Sequence, residues 1–177
     1  GTIVGVVEKQ RILDGRSISA GDVLIGLQSS GLHTNGYSLA RAVLLKHYRL
    51  DEEITELGTT LGSALLAIHR SYLHAVQPLL ERNLVVGLAH ITGGGIEGNT
   101  RRILPKGLEL AIEWGTWQVP PIFHLIQRVG GISDEEMRRV FNLGIGMVVI
   151  CKPEHANTVL ALTADEQSSI IGRVVAA

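Results

Sequence analysis

Residues 85–105 read VVGLAHITGGGIEGNTRRILP, and this stretch decides the fold class. Its first part, Val85–Ile91, is a short apolar run of the kind that forms a buried strand. Three glycines follow. Asn99–Leu104 is then predicted to form a short helix that Pro105 stops, because the residue before a proline avoids the helical conformation. The chain therefore passes from a strand through a glycine loop into a helix.

Strands and helices alternate on both sides of this stretch. Further strands are predicted at Thr2–Lys9, Val23–Ser29, Leu108–Trp114, Leu143–Cys151 and Ser169–Val175. Helices are predicted at Tyr37–Tyr48, Leu61–Arg82, from Pro120-Pro121 to Gly130-Gly131, at Ser133–Val140 and at Pro153–Leu162. Asn35 is the expected N-cap of the first helix, and Pro78 is expected to kink or split the second. This alternation predicts an α/β (α+β) fold with helices packed on the faces of a sheet.

Length and charge narrow the class of protein. A chain of 177 residues with 45% hydrophobic residues can bury the core of one ordinary domain, residues 1–177. Its net charge of -1, from 16 basic and 17 acidic residues, gives no basic surface for a nucleic acid polymer or an anionic membrane. The apolar runs are far shorter than the roughly 20 residues that cross a bilayer, and no signal-peptide pattern opens the chain. We expect a cytoplasmic protein with no membrane partner.

Two further expectations rest on the single cysteine and on the first residue of the chain. Cys151 cannot form an internal disulfide, which fits a reducing compartment. Its place at the end of an apolar run favours a buried side chain over a nucleophile. The chain starts at Gly1 rather than at methionine, directly before a predicted strand. We therefore expect a piece of a longer protein.

Two polar loops each join a predicted strand to a predicted helix. SSGLHTNGYS spans Ser29–Ser38, and HITGGGIEGN spans His90–Asn99. Such joints collect free backbone N–H groups that bind phosphate or another anion, and consecutive glycines let the backbone approach a ligand closely. The first loop also suits a plain turn with His33 on the surface, and the second also suits a structural hairpin or a packing corner. The residues alone leave these alternatives open.

A third glycine-containing stretch, FNLGIGM at Phe141–Met147, opens the most apolar strand. Alternate glycines leave one face of a strand bare, so that a packed helix, another backbone or a ligand can come close. A packed helix is the favoured interpretation.

The other histidines show no metal-binding pattern. His69 and His74 are five residues apart on the predicted helix, whereas a helical metal pair needs a spacing of four. We predict no metal site and a structural or solvent-exposed role for both.

These motifs, taken together and in this order, resemble aminoimidazole ribonucleotide synthetase, also called phosphoribosylformylglycinamidine cyclo-ligase. The similar segments are GLHTNGYSL at Gly31–Leu39, HITGGG at His90–Gly95 with Asn99, RILP at Arg102–Pro105, WQVP at Trp117–Pro120 and FNLGIGM at Phe141–Met147. The resemblance covers nearly the whole chain but only the C-terminal domain of the family. It implies a mixed β-sheet with helices on its faces, a homodimer, and an absent N-terminal domain that binds most of the ATP and the Mg²⁺.

The family's reaction gives the loops their expected roles. It is an ATP-dependent ring closure that converts formylglycinamidine ribonucleotide to aminoimidazole ribonucleotide, with release of ADP and phosphate, in purine biosynthesis. The resemblance implies that His33 and His90 face the cleft between the domains, where they transfer protons or stabilise an oxyanion. It implies that substrate or nucleotide groups, phosphate above all, are held by Asn35, Gly36, Thr92, Gly93, Gly94, Gly95, Asn99 and Arg102.

Two other functions are compatible with the sequence. One is an isolated phosphate- or nucleotide-binding domain of a related ATP-dependent enzyme, such as formylglycinamidine ribonucleotide synthase, with no activity alone. The other is a structural or interaction protein of the same fold, which buried or widely separated loops would favour. In the ligase interpretation, too, we expect this half to be inactive without the other.

Overall fold

Strand β1 (Val23–Gln28) lies at the centre of a five-stranded sheet in the computed structural model, which describes all residues from Gly1 to Ala177. The other strands are β2 (Glu53–Ile54), β3 (Thr59–Thr60), β4 (Gly87–His90), β5 (Leu108–Ile112), β6 (Ile145–Cys151) and β7 (Ser169–Ala176). The sheet order is β4-β6-β1-β7-β5, and β2 pairs with β3 in a separate hairpin. All four pairings within the large sheet are antiparallel.

The helices are α1 (Tyr37–Leu44), α2 (Leu61–Leu65), α3 (Leu73–Glu81), α4 (Gly95–Thr100), α5 (Pro121–Gly130), α6 (Asp134–Val140) and α7 (Ala156–Leu162). None of them has the length and apolar character needed to span a bilayer. The predicted α/β (α+β) fold class, with helices packed on a sheet, is confirmed. The sheet is antiparallel rather than mixed, because β1 pairs on both sides with strands from the far end of the chain, and antiparallel neighbours need no strand–helix–strand crossover.

The alternation of side chains along β1 divides the core into layers. Val23 and Ile25 pack on one face of the sheet with α3 and α7, while Leu24 packs on the other face beneath the segment that joins β4 to α4. A third apolar cluster lies among α1, α2, α5 and α6 and contains an edge-to-face pair of Phe123 and Phe141. The loop after β1 links the sheet to this helical cluster and carries His33.

The boundaries of α5 and α6 follow the predicted chemistry. Helix α5 begins at Pro121, where the N–H that proline lacks is not needed, and is followed by Gly131 in the left-handed conformation at φ 57°. The Ser133 hydroxyl accepts a hydrogen bond from the backbone N–H of Glu136 and so caps α6. These predictions are confirmed because caps depend on residues a few positions apart.

Two predictions for the first part of the chain are wrong. Gly1–Glu8 forms no strand: it pairs with no other strand, and the side chains of Ile3 and Val6 are almost fully exposed. Apolar β-branched residues favour a strand only where a partner completes the hydrogen bonding. Asn35 does not cap α1, because the N-cap is Gly36 at φ 78° and no side chain bonds to the start of that helix.

The long helix predicted at Leu61–Arg82 is also wrong. It is divided into α2 and α3 by residues 66–72, and Pro78 lies inside α3 without ending it. Two side chains occupy carbonyl groups that a continuous helix would use. The hydroxyl of Tyr37, the first residue of α1, donates to the Leu65 carbonyl, and the hydroxyl of Ser30, in the loop after β1, donates to the Ile68 carbonyl at 2.6 Å. These contacts bring residues 66–72 beside the loop that carries His33.

Candidate functional site

Three histidines from three separate loops or strand ends converge at one edge of the sheet. His33 follows β1, His69 lies between α2 and α3, and His90 is the last residue of β4. One ring nitrogen of each lies within 4.8 Å of the others. The rings of His33 and His69 stack with centroids 3.9 Å apart, and the centroids of His69 and His90 are 5.4 Å apart. The structure thus brings together the two histidines expected to face one cleft.

His69 lies outside the helix in which it was predicted. It was expected to lie on a helix with a structural or exposed role, and no metal site was predicted. In the structure it lies between the other two histidines in a set with the composition of a metal site. Nothing in the local sequence signals this, because the approach depends on the break between α2 and α3.

His33 is held in an unusual environment. Its backbone is left-handed, at φ 57°, and its side chain is only 4% exposed. The backbone N–H of Ser30 donates to Nε2 at 3.2 Å, while Nδ1 is buried with no hydrogen-bond partner. Burial, aided by the nearby His69, His90 and Arg70, lowers the pKa of His33 from 6.5 to about 4. The ring is therefore neutral at neutral pH, and not poised near 6.5 as an unperturbed histidine would be.

Gly146 of β6 provides the space in which His33 lies. A Cβ atom at Gly146 would stand 2.5 Å from Cε1 of His33 and would overlap the hydroxyl of Tyr72. That hydroxyl donates to the carbonyl of Gln28 at 2.9 Å. The bare face of this strand is thus filled by two side chains of the site, and not by the packed helix that the sequence favoured.

Asn142 fixes the position of the His33 loop. Its Oδ1 accepts hydrogen bonds from the Ser29 hydroxyl at 3.0 Å and from the N–H of Gly144 at 2.8 Å, and its Nδ2 donates to the Gly31 carbonyl at 2.8 Å. Ser29 and Asn142 are both buried. This network ties the first motif to the third. Asn142 lies in the third motif, but no role was predicted for it from the sequence.

In the glycine loop, Asn99 bonds to the loop itself. Its Nδ2 donates to the carbonyls of Thr92 at 3.1 Å and Gly95 at 2.8 Å, and the Thr92 hydroxyl donates to its Oδ1 at 2.9 Å. Helix α4 accordingly starts at Gly95 and not at the predicted Asn99, and Arg101–Ile103 continues it as a 3-10 turn. Thr92 and Asn99 hold the shape of the loop.

The three glycines of this loop differ in their surroundings. The N–H of Gly94 donates to the Arg139 carbonyl at 3.1 Å, and that of Gly95 donates to the Thr92 carbonyl at 3.2 Å. Gly95 also packs against the Arg138 carbonyl at φ 65°, so its role is structural. The N–H of Gly93 has no partner in the protein. Only one of the three glycine amides is therefore free for a ligand.

Two of the predicted ligand-binding side chains lie beside this loop. A Cβ atom built on Gly93 would have a single neighbour within 4 Å, Oδ1 of Asn35 at 3.9 Å. One built on Gly94 would lie 3.8 Å from the guanidinium of Arg102. Gly36, by contrast, starts α1 and packs against an aromatic ring. The first and second loops are thus neighbours, with Asn35 beside Gly93 and Arg102 beside Gly94.

Comparison with known proteins shows the class to which this fold and these loops belong. Residues 19–177 match the family described as AIR synthase related protein, C-terminal domain. The chain belongs to this family.

Curated relatives narrow the comparison to one kind of protein. The chain is 48% identical over 178 residues to phosphoribosylformylglycinamidine cyclo-ligase of Shouchella clausii, and 46% identical over 181 residues to the protein of that name from Sorangium cellulosum. The matches cover 98% and 99% of this chain but 52% of each relative. The chain therefore spans about half the length of the curated relatives it matches.

Solved structures share the fold at lower identity. Phosphoribosylformylglycinamidine synthase II from Thermotoga maritima matches with a TM-score of 0.57 and 16% identity, over 97% of this chain and 25% of that one. HypE of E. coli matches with a TM-score of 0.56 and 20% identity, over 92% of this chain and 46% of that one. At these identities the likeness concerns the fold alone.

Proposed function

We propose that this chain is the C-terminal half of a phosphoribosylformylglycinamidine cyclo-ligase. Its reaction is the ATP-dependent closure of formylglycinamidine ribonucleotide to aminoimidazole ribonucleotide, with release of ADP and phosphate, in purine biosynthesis. The observation that carries the proposal is the identity of 46–48% to curated relatives of that name over nearly the whole chain. Because the match covers only half of each relative, we propose that the chain is inactive without its other half.

The state of His33 supports a role as a hydrogen-bond donor. A neutral imidazole whose Nε2 accepts the Ser30 N–H carries its proton on Nδ1, the atom that is buried without a partner. Such a donor suits an oxygen on which negative charge develops as the substrate amide is activated. His90 is exposed at the end of β4 and is the group we assign to proton transfer.

The space between the two loops supports phosphate binding. The Gly93 amide is free, Asn35 lies beside Gly93 and Arg102 beside Gly94, and all three groups can hydrogen-bond to phosphate. We propose that they hold a phosphate of the substrate or of the nucleotide. Gly36, Gly95, Thr92 and Asn99 then act by shaping the loops.

Mg²⁺ does not fit the residues of this site. The ligand cluster consists of three imidazoles, whereas Mg²⁺ is bound by carboxylate, phosphate and water oxygens. We propose that the N-terminal half supplies the Mg²⁺ ligands and most of the ATP site, and that the complete protein is a cytoplasmic homodimer.

The exposed side chains of Ile68 and Leu73, close to the histidine cluster, suit a surface that the other half covers.

A direct test is calorimetric titration of the chain with formylglycinamidine ribonucleotide and with ATP–Mg²⁺. The Gly93→Val variant is the informative one, because Gly93 has an ordinary backbone conformation and space for a side chain, which would project towards Asn35. Gly98→Val is the matched control, since a Cβ there has no neighbour within 4 Å. Binding that Gly93→Val abolishes and Gly98→Val retains would support the phosphate site.

Activity requires the other half, so the second test joins this chain to the N-terminal half of the Shouchella clausii relative. Substrate-dependent ADP formation is expected. His90→Asn should lower kcat by about 10²- to 10⁴-fold, the usual contribution of a general acid or base. His74→Asn, an exposed histidine on α3 outside the cluster, should leave it unchanged. A folded chimera that forms no ADP while the parent relative does would overturn the proposal.

A further inference from the structure

We propose that His33, His69 and His90 form a binding site for a divalent transition-metal ion of the Zn²⁺ type. Their ligand nitrogens already lie within 4.8 Å of one another, although the three residues are far apart in sequence. Nδ1 of His33 is a buried polar atom without a partner in a residue that is only 4% exposed. The proposal rests on the convergence of three imidazoles and on this unpartnered nitrogen in one of them.

The composition of the cluster selects the kind of metal. Three imidazoles with no carboxylate suit Zn²⁺, Cu²⁺, Ni²⁺ or Co²⁺ rather than Mg²⁺ or Ca²⁺. Three histidines that leave the fourth tetrahedral position open are one known arrangement for zinc. Ligands of tetrahedral zinc are about 3.3 Å apart when each Zn–N bond is about 2.05 Å. The separations between the three nitrogens, at most 4.8 Å, therefore need to shrink by about 1.5 Å or less.

Side-chain rotation can provide this movement. The rings of His33 and His69 are stacked at an interplanar angle of 19°, so His69 must turn for its nitrogen to converge with that of His33. His69 is half-buried in the connection between α2 and α3, and His90 is exposed, so both side chains have room. Whichever nitrogen of His33 binds the metal, the hydrogen bond from the Ser30 N–H is released, and the half-buried Ser30 can turn this group to water.

The surroundings accommodate a cation with one open position. Arg70 is a positive charge close enough to contribute to the lowered pKa of His33, and it forms an ion pair of 2.9 Å with Glu166. His69 and His90 line an open groove of about 690 Å³ that also contacts Tyr72 and Met147. The fourth metal position would face this groove and hold water. The proposal concerns metal binding by the chain and does not rest on the ligase activity; because a metal-bound nitrogen carries no proton, a bound ion and the roles given above to His33 and His90 exclude one another.

The test is a Zn²⁺ titration of the chain in competition with a chromophoric chelator at neutral pH. One equivalent of Zn²⁺ is expected to bind with micromolar or tighter affinity, and Co²⁺ in its place should give the visible absorption of a tetrahedral site. His69→Ala is the decisive variant, because a half-buried loop residue can be changed without disturbing the core. It should weaken binding by more than about 100-fold, since changes outside the ligand set already cost 10- to 100-fold.

The matched control is His74→Ala, which removes an exposed histidine five residues further along the chain. It should bind Zn²⁺ as the wild type does, whereas His90→Ala should lose binding as His69→Ala does. His33→Asn, chosen because asparagine tolerates the left-handed backbone, should also lose binding while its circular dichroism spectrum stays that of the wild type. Failure of the wild type to bind Zn²⁺ at micromolar concentration would overturn the proposal. Equal affinity of His69→Ala and His74→Ala, the pattern of adventitious surface binding, would overturn it as well.

Discussion

Helix α4 contains two glycines whose replacement by alanine should have opposite effects on stability. Gly95 is the third glycine of the loop and Gly98 lies one turn further on. Gly95 has a left-handed backbone at φ 65°, and a Cβ there would overlap the carbonyl of Arg138. Gly98 has an ordinary helical conformation, and a Cβ there would have no neighbour within 4 Å. The two changes therefore add the same methyl group to the same helix in different surroundings.

The magnitudes follow from these surroundings. A side chain in the left-handed conformation costs about 1–2 kcal/mol, and overlap with a fixed carbonyl costs about 1–3 kcal/mol. Gly95→Ala should lower the free energy of unfolding by about 2–5 kcal/mol, the sum of these two costs. Gly98→Ala should raise it by about 0.5–1 kcal/mol, because alanine loses less backbone entropy than glycine when a helix forms.

Urea unfolding followed by circular dichroism measures both free energies. The two variants should differ by about 2.5–6 kcal/mol, which for a domain of this size separates their melting temperatures by roughly 5–24 °C. Equal stability of the two variants would refute the reasoning, because it would mean that the backbone at Gly95 adapts to a side chain without cost. The third glycine of the motif would then have no structural requirement.

Three further predictions concern other parts of the molecule. Asn142→Ala leaves the buried Gly144 N–H without a partner and leaves the Gly31 carbonyl only the Ser29 hydroxyl, so urea unfolding should show a loss of about 1–3 kcal/mol, and an unchanged free energy of unfolding would contradict the network. Ser133→Ala removes the N-cap of α6 and should lower the free energy of unfolding by about 1 kcal/mol, which calorimetry would show as a melting temperature lower by about 2–4 °C. An unchanged melting temperature would show that the cap is not needed. Burial raises the pKa of Cys151 to about 12, so a thiol reagent should label it only in denaturant, and rapid labelling of the native protein would contradict its burial.

Local signals determined much of the fold. Strands β1 and β6 were predicted from short apolar runs, and the ends of α5 and α6 from Pro121, Gly131 and Ser133. These features were predictable because each depends on residues within a few positions of one another. The loops beginning at Ser29 and His90 were likewise recognised as joints between a strand and a helix.

Tertiary contacts decided what local patterns could not. The apolar alternation of Thr2–Lys9 favours a strand, but no partner strand is present in the sheet for it. The periodicity of Leu61–Arg82 favours one helix, but the hydroxyls of Ser30 and Tyr37 occupy carbonyls in its middle and separate α2 from α3. A periodic pattern shows whether a segment favours a helix or a strand. It does not show which tertiary contacts compete with the hydrogen bonds of that helix or strand.

The candidate site shows the same division. The sequence alone determined that His33, His90 and the glycine loop lie at the ends of strands, and their motifs determined the family to which the chain belongs. Only the tertiary structure placed His69 between the two other histidines and left one of the three glycine amides free. The distances between the loops depend on the packing of the sheet, on the space that Gly146 leaves and on the hydrogen bonds of Asn142. Spacing along the chain carries no information about those distances.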